Sequence, residues 1–157
     1  MVHIREYDPA TDYPALRACF LDLQSWERGF EPAMPEPEQA ADPYLGDMLD
    51  RCAASAGRVF VAEAAGVVIG FVCVLAKLMP ELDEAREPYS HISDLVVRAV
   101  DRGRGTGRLL LARAEAFARE MGMKHLKVGV LVRNERAHAL YRASGFRDYT
   151  VQLIKSL

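Results

Sequence analysis

A strand that runs into an alternating glycine turn and then a helix constrains this chain more than any other stretch. Ser93-Asp94-Leu95-Val96-Val97 leads through Arg98 to Arg102-Gly103-Arg104-Gly105-Thr106-Gly107. Leu110, Ala114, Phe117, Ala118 and Met121 then recur at helical spacing, a single apolar stripe of the kind that packs on a sheet. Gly122 ends that pattern, and residues 126–132 read as another strand. Strand, turn, helix, strand is a crossover, so the two strands should run parallel.

Glycines at alternate positions let the backbone take conformations closed to other residues and come close to a ligand. In front of a helix, their amides are unpaired donors at the positive end of the helix dipole, a setting that suits phosphate or pyrophosphate. Arg102, Arg104 and Arg108 add fork-shaped cations around the same spot. The plain alternative is a surface turn that happens to carry arginines. A dinucleotide fingerprint fits poorly, because counting from Gly103 its last glycine slot holds Arg108 and no strand-end acid follows about 20 residues on. A phosphate-binding Gly-Lys-Ser/Thr run is also missing from the sequence.

Around this core, strands and helices alternate over all 157 residues, which predicts one domain of mixed α/β (α+β) class. Residues 2–7 alternate as a half-buried strand does, and Tyr13, Leu16, Phe20 and Leu23 make a first helix. Pro32, Pro35 and Pro37 predict a loop over 27–42, followed by a helix over 44–54. A hairpin follows, with arms 58–64 and 67–75 about Ala65-Gly66. Residues 79–88 read as an acidic connector into a strand at 89–97. A last helix spans 135–144, capped by Asn134 and Gly145, and residues 146–154 should close the chain as a strand.

A formal net charge of −2 gives no general attraction to nucleic acid or anionic membrane. No apolar run approaches the roughly 20 residues of a bilayer span, and residues 1–7 lack a secretory core, so a cytoplasmic protein is expected. Cys19, Cys52 and Cys73 are odd in number and far apart, which predicts neither a disulfide framework nor a metal site.

Arg102-x-x-Gly105-x-Gly107 after Leu95-x-Val97 resembles the coenzyme A pyrophosphate motif of Gcn5-related N-acetyltransferases. Asn134-x-x-Ala137-x-x-Leu140-Tyr141-x-x-x-Gly145-Phe146 is similar to that family's second signature, in the family's order and separation. The resemblance implies a mostly antiparallel, strongly twisted central sheet, split between its fourth and fifth strands and flanked by helices. It implies acetyl-coenzyme A in that split, with the Leu95-Val96-Val97 backbone along the pantetheine arm and the amides of Arg102, Gly103, Arg104, Gly105, Thr106, Gly107 and Arg108 on the pyrophosphate. The acceptor would be an amine, small and cationic or on a peptide, attacking the thioester directly. A homodimer is a further implication. Ala99 stands where many relatives have proline, which should loosen the turn.

The resemblance also gives Tyr141 a role as the acid that protonates the departing thiolate; its alternative is a core tyrosine. Asn134, seven residues earlier on the same helical face, is a cofactor ligand, a helix cap, or both. For the base, several relatives place a glutamate on the strand before Leu-x-Val. Here His91 and Ser93 share that face, with Asp94 expected on the other, so His91 is the first candidate and Glu87 the second. Glu81, Asp83, Glu84 and Glu87, with Glu27, Glu31, Glu36 and Glu38, would draw a cationic acceptor if both acidic stretches overhang its entrance. The rival from another class is a non-catalytic acyl-coenzyme A-binding module that acts through a partner.

Overall fold

The computed structural model describes residues 1–82 and 87–157. Five strands lie in chain order across one sheet: β1 (Val2–Glu6), β2 (Arg58–Ala64), β3 (Val67–Leu78), β4 (Tyr89–Val97) and β5 (Leu126–Val128). The first three interfaces are antiparallel and β4 pairs β5 in parallel, across the crossover helix α3 (Thr106–Glu120). Helices α1 (Tyr13–Arg28) and α2 (Pro37–Ala54) bury Leu16, Phe20, Leu45 and Met48 on one face, against Val61, Phe71 and Val96. On the other face, α3 buries Leu110, Ala114 and Phe117 against Phe60, Val72 and Ile92, joined by Tyr141 of α4 (Glu135–Ala143). With both faces covered, β3 is buried continuously from Val68 to Ala76.

Local chemistry explains the two tightest points of the sheet. Ala65 and Gly66 have φ of 50° and 77°, both left-handed, as a two-residue turn matched to strand twist requires. At Gly70 a Cβ would lie 2.5 Å from the Val96 carbonyl oxygen, so only glycine lets β3 and β4 approach there.

Four expectations need correction. The loop expected over 27–42 is shorter: α1 continues to Arg28, and α2 starts at Pro37 rather than 44, since proline lacks only an amide that the first helical turn leaves unused. Arg28 spans the gap by donating to the Met34 carbonyl and to Glu36 Oε1 at 2.5 Å. Strand β5 has three residues, not seven, because β4 offers it partners only at Ser90, His91 and Ile92. Residues 146–157 form no strand; Val151, Leu153 and Ile154 are exposed, and a three-residue β5 is too short an edge to hold them in a ladder.

The fourth correction matters most. Between Cys73 and Val74 of β3, the partner on β4 jumps from Asp94 to Ile92, so Ser93 is an extra, bulged residue. The bulge resets the alternation, placing Asp94 on the α1–α2 face where the uninterrupted pattern puts it opposite. Among the described residues no helix is long and apolar enough to cross a membrane, and no cluster of three or more His, Cys, Asp or Glu could hold a metal ion.

Candidate active site

The bulge also decides which backbone groups of β4 are free. Before it, the Ser90 amide donates toward β5, to the His125 carbonyl at 2.9 Å; after it, the Arg98 amide donates toward β3, to the Ile69 carbonyl at 2.8 Å. Hydrogen-bonding direction alternates along a strand, so Val96 faces β3 while the amides and carbonyls of Leu95 and Val97 face the side of β5. There β5 has already ended. The result is a cleft of about 400 Å³ with an open strand edge along one wall.

The glycine turn forms the head of this cleft. Gly103 and Gly105 have φ of 82° and 86°, and no side chain caps α3. Among the described residues, the amides of Gly105, Thr106 and Gly107 donate to no protein acceptor. Glycine at 107 keeps the floor low: a Cβ would meet Leu140 Cδ2 at 3.4 Å and Leu95 Cδ2 at 3.8 Å. Arg102, Arg108 and Arg136 line the same space. This donor set, free amides at a helix N-terminus ringed by guanidinium groups, fits a diphosphate.

Of the residues singled out in the sequence, Leu95, Val96, Val97, Arg102, Gly103, Gly105, Thr106, Gly107, Arg108 and Asn134 all line this one cleft. Arg104 does not; its side chain is turned to solvent and paired with Asp101 Oδ1 at 3.5 Å. The Arg102 Nε donates to the Val97 carbonyl at 2.9 Å, and its guanidinium lies 5.2 Å from the centre of the Trp26 ring. Burial, then the like charge of Arg136, holds Arg102 below its ordinary pKa. Asn134 caps α4 by accepting from the Ala137 amide at 3.2 Å, which leaves its Nδ2 for a ligand. The turn at Ala99 is not loosened. Its amide donates to Asp22 Oδ2 at 3.0 Å, a bond that proline could not make, and Arg98 Nε donates to the same oxygen at 2.7 Å.

A second group of side chains, from α1, α2, β4 and α4, lies outside the lining of this cleft and is linked by charge and by hydrogen bonds. Tyr141 of α4 is 8% exposed, and its hydroxyl makes no hydrogen bond among the described residues. Burial, then the negative charges of Asp94 and Glu27, pushes the phenol up to about 12. Asp94 of β4 accepts from Tyr44 of α2 at 2.9 and 3.1 Å and from Ser93 Oγ at 2.8 Å. Burial raises its carboxyl above the ordinary range, against the opposing pull of those hydroxyls and of Arg51. Glu27, in the last turn of α1, is raised by burial and then by Asp94, and its carboxylate makes no hydrogen bond or ion pair among the described residues. His91 lies on the same face of β4, depressed by burial and then by Arg51 and Lys127.

Glu87 is not brought into this group. It meets Lys124 at 3.1 Å and His125 at 3.0 Å where β4 and β5 begin, the end opposite their divergence. Glu36 and Glu38 are engaged by Arg28 and Arg17, while Asp83 and Glu84 lie outside the described residues. Sequence reasoning set Asp94 aside because strand alternation carries no sign of a bulge.

Residues 21–146 match the Acetyltransferase (GNAT) family. Over 109 residues, 69% of this chain and 71% of the relative, the sequence is 32% identical to an aminoglycoside N(6')-acetyltransferase type 1 of Stenotrophomonas maltophilia. It is also 32% identical to a mouse protein, probable N-acetyltransferase family 8 member 5, over 58% of this chain and 39% of that one. Among solved structures, the fold matches AAC(6')-Iy in complex with the bisubstrate analogue CoA-S-monomethyl-acetylneamine, with a TM-score of 0.72 at 20% identity, covering 100% of this chain and 99% of that one. A GCN5-related N-acetyltransferase from Ralstonia eutropha matches with a TM-score of 0.74 at 20% identity, over 100% and 99% of the two chains. The family match covers most of the chain and includes both the glycine turn and helix α4, so the protein is an acyltransferase that belongs to the GNAT family.

Proposed function

We propose that this chain is a single-domain, cytoplasmic N-acetyltransferase that moves the acetyl group of acetyl-coenzyme A to a primary amine of a small cationic molecule. The observation that carries the reading is an open β4 edge beside a diphosphate-shaped turn in one cleft, whose lining residue Leu140 adjoins Tyr141, a phenol that feels the charges of Asp94 and Glu27. The free amides of the turn would hold the pyrophosphate, with Arg102, Arg108 and Arg136 around it. The Leu95 backbone and the Val97 amide would pair with the pantetheine arm as an added strand does, the Val97 carbonyl being held by Arg102, and Asn134 Nδ2 would add a donor. When bound, the thioester supplies an activated acetyl group. The aminoglycoside-acetylating relative and the unpartnered Glu27 both favour a cationic acceptor over a neutral one.

An ammonium must lose its proton before it can attack. Asp94 is the base this geometry favours, since its charge is felt at Tyr141 while its own elevated pKa brings it nearer the working pH. His91 is the alternative on the same face of β4. Tyr141 would protonate the departing thiolate. Its phenol is raised by two negative neighbours, so an acceptor cation placed beside Asp94 and Glu27 offsets them and makes Tyr141 a better acid when the substrate is present. The three cysteines are buried, which favours direct attack over an acyl-cysteine route.

The test follows thiol release from acetyl-coenzyme A with a panel of monoamines, diamines and aminoglycosides. Tyr141→Phe should lower kcat about a hundredfold with the KM for acetyl-coenzyme A nearly unchanged. An unaltered kcat removes the acid role, and cofactor binding without thiol release for any amine favours the non-catalytic binding module.

A further inference from the structure

The cofactor cleft has a wall that its motifs do not supply. Leu23 and Trp26 of α1 face the glycine turn across it. Two successive turns of α1 are tied to the segment that follows β4. Asp22 holds Arg98 and the Ala99 amide, and four residues later Trp26 carries the Arg102 guanidinium on its ring. Phe30 backs the indole edge-on, with ring centres 5.5 Å apart, and its carbonyl accepts from Arg133 at 3.4 Å. A cation over an indole face gains more as it is withdrawn from water, and here Arg102 is partly buried while Trp26 stays 41% exposed. Arg102 feels the like charge of Arg136, opposed by Asp22, and among the described residues it is the indole face and the Val97 carbonyl, 2.9 Å from Nε, that fix its guanidinium at the cleft.

We propose that Trp26 is a positioning residue for the cofactor site, holding the Arg102 guanidinium over the cleft so that it meets a diphosphate there. It acts through Arg102, and the inference rests on the acetyl-coenzyme A reading. Glu27 follows Trp26 directly, so the turn of α1 that meets Arg102 also carries a carboxylate that feels the charge of Asp94 and whose own charge is felt at Tyr141.

A double-mutant cycle on coenzyme A binding tests this, with thermal melts confirming that each variant is folded. Trp26→Leu should raise the Kd about two- to fivefold, the value of a partly exposed cation–aromatic contact, with kcat at saturating cofactor little changed. Trp26→Phe, which keeps a ring, should restore most of that affinity. Once Arg102→Gln is in place, Trp26→Leu should cost almost nothing more, because the group it positions is gone. If the two losses instead multiply, Trp26 acts independently of Arg102 and the inference falls while the cofactor reading stands. If the unmutated protein binds neither coenzyme A nor acetyl-coenzyme A, both fall together.

Discussion

Asp12 and Asp94 both expose little surface, 4% and 7%, but Asp94 lies much deeper beneath it, and the protein treats their charges in opposite ways. Asp12, at the corner between β1 and α1, faces Arg5 Nη1 and Nη2 at 2.6 and 2.9 Å and accepts the Asp8 amide at 2.8 Å. That fork holds its carboxyl down at about 2, with the Arg5 hydrogen bonds the largest cause and burial opposing them. Asp94 has neutral hydroxyls for partners, and burial outweighs them, so its carboxyl rises. A buried carboxylate costs little when a guanidinium matches it and much when only dipoles do. The matched aspartate joins elements together. The mismatched one lies beside Tyr141, where strain in charge can be relieved by a substrate cation.

The largest expected effect comes from removing the mismatched charge. Asp94→Asn should lower kcat by about a hundredfold or more if it takes the amine's proton. The same change should raise Tm at pH 7, since it removes a charge that burial disfavours. A carboxyl whose folded pKa lies above its unfolded value loses stability as pH rises between the two, so the gain from Asn should shrink as pH falls toward 4. His91→Gln should leave the pH–rate profile in place. A profile that shifts with His91 and not with Asp94 would move the base to the histidine, and an Asp94→Asn protein less stable than the original would end the comparison.

Asp12→Asn should do the reverse. Activity at saturating substrates should hold, while stability falls by about 1–2 kcal/mol, allowing for the partial exposure of Arg5. That corresponds to a Tm lower by about 2–8 °C. Here the folded pKa lies below the unfolded one, so the stability is present above about pH 4 and is lost as pH falls through about 2. Chemical denaturation at pH 7 and pH 3 would show it: the gap between the two proteins should narrow at the lower pH. A gap independent of pH would mean that Asp12 contributes through its hydrogen bonds alone.

How far each half of this comparison could be read from the sequence follows from the range of the interactions. The glycine turn, the Asn134 cap and the hairpin at Ala65-Gly66 are local, fixed by residues within a few positions, and they were legible. Asp94 was not, because one bulged residue, Ser93, is set by register against Cys73 and Val74, twenty positions away. Nor could Trp26 be placed, since its partner Arg102 is 76 residues further along the chain. The partners of Glu87 were out of reach for the same reason: Lys124 and His125 come from the crossover, not from its own strand. The closing strand over 146–154 alternates correctly, but alternation cannot supply an edge to pair with.

The smallest expected effect probes what surrounds Asp94. Glu27 is half-buried, raised by burial and by Asp94, and lacks an ion pair among the described residues. Glu27→Gln keeps the shape and removes one negative charge, so two consequences should appear together. The KM for a diamine should rise about two- to fivefold, since a second ammonium loses its partner, while the KM for a monoamine of the same length stays nearly level. The Tyr141 phenol should also titrate lower, because Glu27 is one of the charges that raise it, and ultraviolet titration of the unliganded protein reads that directly. Should both KM values stay level, Glu27 is a solvated neighbour and the cationic acceptor loses its support on α1. Should the phenol move while the KM values do not, Glu27 acts on the acid rather than on the acceptor, and Asp94 alone would carry the charge that the substrate relieves.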